Sequence, residues 1–243
     1  MSAFADNFNI ARLLAHTAPH SDDWLHALPL STCELRLDNE AVRVAVGLRL
    51  GTSLCEPHQC PCGKQVDARG TDGLSCKRGA GRSIRYHQLN DIIHRALTRA
   101  STASVLKPPG LSRIDGKRPD GLTLIPWQRG KSLTWDVTIT DTVADSYLHL
   151  TSTKAGGAAE NAAIKKEDKY VDIQQTYTFI PLAFETLGPI NVKGVEFLQE
   201  LGHRLAAISD DNRQTSFLFQ RISIIQQLLT LSRSLIHLRK LLS

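Results

Sequence analysis

The chain has 243 residues, 42% of them hydrophobic, and a formal net charge of +5. That is enough apolar material for one large domain, or one domain with a small appendage. No apolar run reaches the ~18 residues of a membrane span, and no repeat or low-complexity tract occurs. The charge is unevenly placed: twelve Lys or Arg against four Asp or Glu fall between Cys60 and Arg118, so +8 sits there and the rest is slightly acidic. A local basic block of this kind favours a polyanionic partner such as nucleic acid. Met1 to Arg12 carries Asp6 and no apolar core of a leader, so no secretory signal is expected. An intracellular, reducing setting follows, in which clustered cysteines bind metal more often than they form disulfides.

In chain order, residues 1–54 read as a helical segment, with apolar patterns beginning at Trp24-Leu25 and running from Asn39 to Leu50. Residues 55–83, rich in Cys, Gly and basic side chains, read as a compact Cys-rich loop module. Ile84 to Thr102 is predicted helical, with Ile84, Leu89, Ile92, Ile93, Ala96 and Leu97 as its stripe, and Lys107-Pro108-Pro109-Gly110 ends regular structure. Pro119 to Pro126 and Ser132 to Thr140 read as strands. Ala155 to Ile173 is predicted helical, Tyr177 to Glu185 a strand interrupted by Pro181, and Val192 to Ala207 a helix; Thr215 to Leu242 is one long helix or two. Residues 84–243 thus form a mixed α/β (α+β) domain of helix–strands–helix–strand order, preceded and followed by helices.

The two central strands flank Gln128-Arg129-Gly130, a turn with a permissive glycine. Asp120 lies eight residues before Gln128 and Asp136 eight after it. An antiparallel hairpin in that register sets the two carboxylates opposite each other, with Cβ atoms roughly 4.5–5.5 Å apart; a one-residue slip would send them to opposite faces. Two like charges so placed need a shared proton or a cation, and a hard ion with oxygen ligands, Mg²⁺ or Mn²⁺, suits them. On a wheel of about 100° per residue, Ala159, Ala162, Ala163, Tyr170 and Ile173 surround Lys166, with Lys169 at the edge of that stripe. An inward lysine is costly unless it meets a carboxylate. Two acids, a metal and one lysine can activate water and stabilise charge on a phosphate. The alternative is structural: Asp120 a turn residue after Pro119, Asp136 a solvent-facing strand residue, Lys166 part of a solvated charge run.

Arg118-Pro119-Asp120 and Trp135-Asp136-Val137-Thr138 resemble the Pro-Asp…Asp/Glu-x-Lys signature of restriction-endonuclease-like nucleases. The closer resemblance is to the endonuclease tail of non-LTR retrotransposon reverse-transcriptase polyproteins, and it spans nearly the whole chain. It is carried by Trp24-Leu25 with Leu28-Pro29, Arg43 to Gly51, Cys60-Pro61-Cys62-Gly63, Leu89-Asn90-Asp91, Asp115-Gly116-Lys117-Arg118-Pro119-Asp120-Gly121 and Phe184-Glu185-Thr186-Leu187-Gly188. Lys166, Lys169 and Tyr170 match the basic helix that follows the second acid in those tails. The resemblance implies a metal held by Asp120 and Asp136, with the Val137 carbonyl as a further ligand and Lys166 and Lys169 as catalytic cations. Thr138 stands where the wider superfamily has its lysine, and Lys166 reaching in from the helix would replace it. Asp91 is an accessory ligand or a solvent-facing acid; Glu185 joins the site or caps a turn. Arg82, Arg85, Lys117 and Arg118 would meet nucleic-acid phosphates.

Cys60 and Cys62, with Cys76 fourteen positions on, have the spacing of a zinc half-site plus a third ligand. The resemblance implies a Cys-Cys-His-Cys set, but Asp72 occupies the histidine position, leaving Cys55, His58 or His87 as the fourth donor, or a set of buried thiols without metal. No Tyr-x-Asp-Asp run of a reverse transcriptase occurs, so the chain corresponds to the tail alone, as a truncated or stand-alone copy. The expected function is a metal-dependent DNA endonuclease, a hydrolase acting in the nucleus, with no membrane partner and no small-molecule cofactor; RNA is a further possible ligand. The alternatives are a non-catalytic nucleic-acid-binding module, favoured by Asp72 and Thr138, and an inactive retroelement remnant.

Overall fold

The structure is a computed structural model, and it describes residues 3–31, 35–60, 62–71, 82–112 and 116–238. Among them lie seven helices and two sheets: α1 (Ala3–Thr17), α2 (Asn39–Leu50), β1 (His58–Gln59), β2 (Gln65–Val66), α3 (Arg82–Arg99), β3 (Ser104–Leu106), β4 (Gly121–Gln128), β5 (Lys131–Thr140), α4 (Leu148–Thr151), α5 (Gly157–Lys169), β6 (Thr178–Glu185), α6 (Val192–Ser209) and α7 (Gln214–Leu238). The molecule is of the mixed α/β class. None of these helices is long and apolar enough to cross a membrane.

The larger sheet has the order β3-β4-β5-β6. The first three strands form an antiparallel meander, and β6 returns parallel to β5 after the α5 crossover. A parallel neighbour requires such a crossover. Alternation along β5 and β6 builds the core. Leu133, Trp135 and Val137, with Leu182 and Phe184, face α3, α6 and α7, where Leu89, Ile93, Leu97, Phe197, Leu201 and Phe219 complete one cluster. The opposite face meets α5 through Ala159, Ala162, Ala163 and Ala183. Four alanines let the helix lie close to the sheet.

The hairpin turn is shorter than the sequence predicts. Gln128 pairs with Lys131, and Arg129 (φ 49°) and Gly130 (φ 74°) form a two-residue turn of left-handed residues, the type whose twist suits a hairpin. A regular ladder from that pair would set Asp120 opposite Ile139. Two register shifts around Pro126 intervene, and farther along Leu122 pairs with Thr134 and Gly121 with Trp135. Pro126 has no N–H to give the ladder. The Thr123 hydroxyl covers the gap, accepting from Leu133 N at 2.9 Å and donating to Ile125 O at 2.8 Å. The predicted pairing of the two acids therefore holds, but the bulge produces it, not the turn alone.

Other boundaries move for local reasons. β3 lies where no strand was expected, because three residues carry no readable alternation. β6 runs straight through Pro181, which pairs with Asp136. This strand is the sheet's edge, where a missing donor is tolerated. Helix α5 stops at Lys169 and gives way to a 3₁₀ turn over Val171–Gln175. The final helix is continuous from Gln214 to Leu238. At the N-terminus, α2 starts on Asp38, whose side chain accepts from Ala41 N at 2.7 Å, and ends on left-handed Gly51. The segment 1–54 packs onto the rest: Ala15, Val44 and Leu48 share a cluster with Val143 and Leu187, and Trp24 and Ala45 with Ile224.

Candidate functional site

Asp120 and Asp136 meet at the α5-side edge of the hairpin, and both are almost fully buried, at 1% and 3% exposure. The Asp120 N–H donates to Trp135 O at 2.8 Å, and Asp120 Oδ2 accepts from Val137 N at 2.7 Å. The Asp120 carboxylate is thereby drawn across Asp136, within hydrogen-bonding reach of it. Gly121 makes this approach possible. A Cβ there would stand 2.0 Å from the Trp135 indole, so no larger residue fits. Trp135 Nε1 in turn donates to Asn90 Oδ1 at 3.0 Å, and Asn90 Nδ2 donates to Tyr86 O at 3.2 Å, so α3 is fixed against the strand that carries Asp136.

Each carboxylate has its own lysine. Lys166, in the last turn of α5, donates to Asp136 Oδ2 at 2.5 Å. The wheel placed it inward, and the alanine stripe brings it there. Lys107 donates to Asp120 Oδ1, and its backbone N–H donates to Asp120 O at 2.7 Å. Tyr86 completes this side: its hydroxyl hydrogen-bonds Asp120 and lies 3.3 Å from Lys107 Nζ.

The two acids differ in proton affinity. Burial works against charge on Asp120, but hydrogen bonds from Lys107, Tyr86 and Val137 N–H outweigh it and hold its pKa below the usual range. Burial pushes Asp136 up to about 6, against the Lys166 charge and with the Asp120 charge adding to the rise. Burial, then the Asp120 charge, drive the Tyr86 phenol well above its ordinary value, so it remains a donor.

The other expected residues divide. Thr138 is half-buried on the same face as Asp136, two positions along β5. Val137 touches the site through its N–H, a donor to Asp120. Lys169 donates to Tyr170 Oη at 2.7 Å and lies 4.3 Å from that ring, and Tyr170 packs on Phe179. Asp91 is on the half-exposed side of α3, paired with Arg95 at 2.8 Å. This is the solvent-facing reading, with no part in the pair. Glu185 caps α5: its Oε1 accepts from Ala158 N and Ala159 N at 2.9 and 3.0 Å. Its role is to seat the helix that carries Lys166. Lys117 and Arg118 are exposed just before the buried Pro119 and Asp120. Arg82 and Arg85 begin α3, but their side chains lie outside the described residues.

In the Cys-rich segment, β1 and β2 form a small hairpin. Cys60 is buried against Val66, with half-buried Cys55 and Cys62 beside it. Cys60 Sγ accepts from Cys62 N at 3.4 Å, and Cys55 Sγ donates to Asp67 O at 3.3 Å. Cys76 and Asp72 lie outside the described residues. Among the described residues, no group of three or more His, Cys, Asp or Glu is arranged to hold a metal ion. The pair Asp120/Asp136 has two carboxylates.

Lys107, Tyr86 and Asn90 are the site residues that the sequence reading missed. Tyr86, Asn90, Ile93 and Leu97 fall on one helical stripe, so two polar members on an apolar face were a usable signal. Lys107 gave none, since its position depends on the short strand β3. The chain matches no family model and no curated protein.

Proposed function

We propose that the chain is a metal-dependent DNA endonuclease of the restriction-endonuclease-like kind, related to the tails of non-LTR retrotransposon polyproteins that its sequence resembles. The observation that carries this reading is the convergence of Asp120, just before β4, Asp136 on β5 and Lys166 on the crossover helix at one place on the sheet. The element order, a helix, an antiparallel meander of three strands, a helix and a parallel strand, is the one read from the sequence for residues 84–243.

The donor set fits a hard divalent ion. Two buried carboxylates face one another, an oxygen-donor pair of the kind a hard divalent ion takes. Asp120 and Asp136 would hold Mg²⁺ or Mn²⁺, which when bound supplies an activated water and neutralises phosphate charge. The chain's own groups do the rest. Lys166, oriented by Asp136, puts a positive charge beside the carboxylates, where charge on a phosphate oxygen needs a donor. Lys117 and Arg118 offer exposed charge next to Asp120 for backbone phosphates. A nuclear place of work follows from the same reading.

A second reading has its own observation. Lys107 and Lys166 already balance the two acids, so the cluster is neutral without any metal, as in a nucleic-acid-binding module that does not cut. Plasmid nicking separates the two. Purified chain with Mg²⁺ or Mn²⁺ is expected to convert supercoiled DNA to open circles, and Asp120→Ala to leave it supercoiled. Nicking that survives Asp120→Ala removes the proposed site; binding without nicking in either metal supports the module.

A further inference from the structure

The Lys107 ammonium sits on an Asp120 carboxylate oxygen that a divalent ion would also use. Asp120 Oδ2 accepts from the Val137 N–H at 2.7 Å, a donor fixed in β5. Oδ1 is held by Lys107. The same ammonium lies 5.0 Å from the centre of the Tyr86 ring and 3.3 Å from its hydroxyl, so it is cradled by an aromatic residue as well as by a charge.

The two lysines at the pair are not equivalent. Lys166 stands on a helix whose N-terminus is capped by buried Glu185, and its side chain is 23% exposed. Lys107 stands on a loop, and its side chain is 38% exposed, with an open way to solvent. Its backbone is left-handed, at φ 52°, a conformation that a lysine adopts rarely. Pro108 follows directly. A residue kept in a strained conformation at a charged site points to a role for its side chain.

We propose that Lys107 is a built-in counter-ion that competes with the divalent metal for Asp120, so that metal entry requires the Lys107 ammonium to swing away. The inference rests on the metal-binding reading above and adds an occupant to that site. While Lys107 is seated, only the fraction of molecules with the ammonium released can take the ion, and the apparent affinity is lowered by that fraction. Removing the ammonium should therefore tighten metal binding. A lysine that merely supports the fold would have the opposite effect or none.

The test is calorimetric titration of the full chain with MnCl₂ at pH 7.5, without DNA, for wild type, Lys107→Met, Lys107→Gly and Asp120→Asn. Methionine keeps the stem against Tyr86; glycine suits the left-handed backbone and guards against a folding defect in the first variant. Both Lys107 variants are expected to bind Mn²⁺ about fivefold more tightly or better, and Asp120→Asn to lose binding. If the Lys107 variants bind equally or more weakly while Asp120→Asn abolishes binding, the competition is refuted and the carboxylate pair stands as a metal site. If neither wild type nor the Lys107 variants bind Mn²⁺, or Asp120→Asn binds as wild type does, the competition and the metal-binding reading fall together.

Discussion

Asp120 and Asp136 are chemically alike and respond to opposite surroundings. Asp120 is satisfied by three donors; Asp136 is buried with one lysine and a like charge. Their neutral replacements should therefore act in opposite directions. With a folded pKa of about 6, above its unfolded value, Asp136 binds its proton more readily in the folded chain, so its charge lowers stability as pH rises from about 4 through 6. Asp136→Asn removes that cost and is expected to raise metal-free stability at pH 7.5 by on the order of 1 kcal/mol. Asp120→Asn deprives Val137 N–H, Tyr86 and Lys107 of a charged acceptor and is expected to lower it by about 1–3 kcal/mol. Urea unfolding in EDTA measures both; shifts of the same sign would show that the two environments are not distinct.

At the scale of elements, helix α5 sets the distance between Lys166 and the sheet. Ala163 is buried against Ala183, and a larger residue there must push the helix outward. Ala163→Leu is expected to slow nicking at least about tenfold while leaving the helical circular-dichroism signal unchanged; a full nicking rate would show that α5 does not position the lysine. The helix was legible because its alanine stripe and its inward lysine share one 3.6-residue period. The hairpin was legible only in outcome. Asp120 and Asp136 were expected to meet, yet the register that brings them together comes from shifts at Pro126, which periodicity does not reveal. β3 has three residues, too few to alternate detectably, and with it went Lys107. Contacts fixed by a local period could be read from the sequence; contacts fixed by a bulge, a short strand or a left-handed residue could not.

At the scale of the molecule, the N-terminal helices join the rest through two apolar clusters and a polar brace centred on Arg49. Arg49 donates to Gln227 Oε1 at 2.6 Å, to Ser21 O at 3.3 Å and to Ala45 O at 3.2 Å, and stacks 5.0 Å over Trp24. Its carbonyl receives Arg12 and lies 3.3 Å from His16 Nε2. Burial, then the Arg49 charge, depress the His16 pKa from 6.5 to about 4. The unfolded chain therefore takes up this proton first on acidification, and the stability present above pH 6.5 is lost as pH falls toward 4. A melting series across that window should show the loss, and His16→Gln should flatten it; an unchanged slope would mean that His16 does not couple this brace to pH.

If Asp120 and Asp136 form the metal site proposed above, Asp136→Asn should stop nicking while folding at least as well as wild type. Initial nicking rates on supercoiled plasmid in Mn²⁺ should be compared for the two proteins, with melting temperatures from the same preparations. A rate loss of about 100-fold or more, with no loss of melting temperature, is expected. A well-folded Asp136→Asn that nicks at the wild-type rate would contradict it.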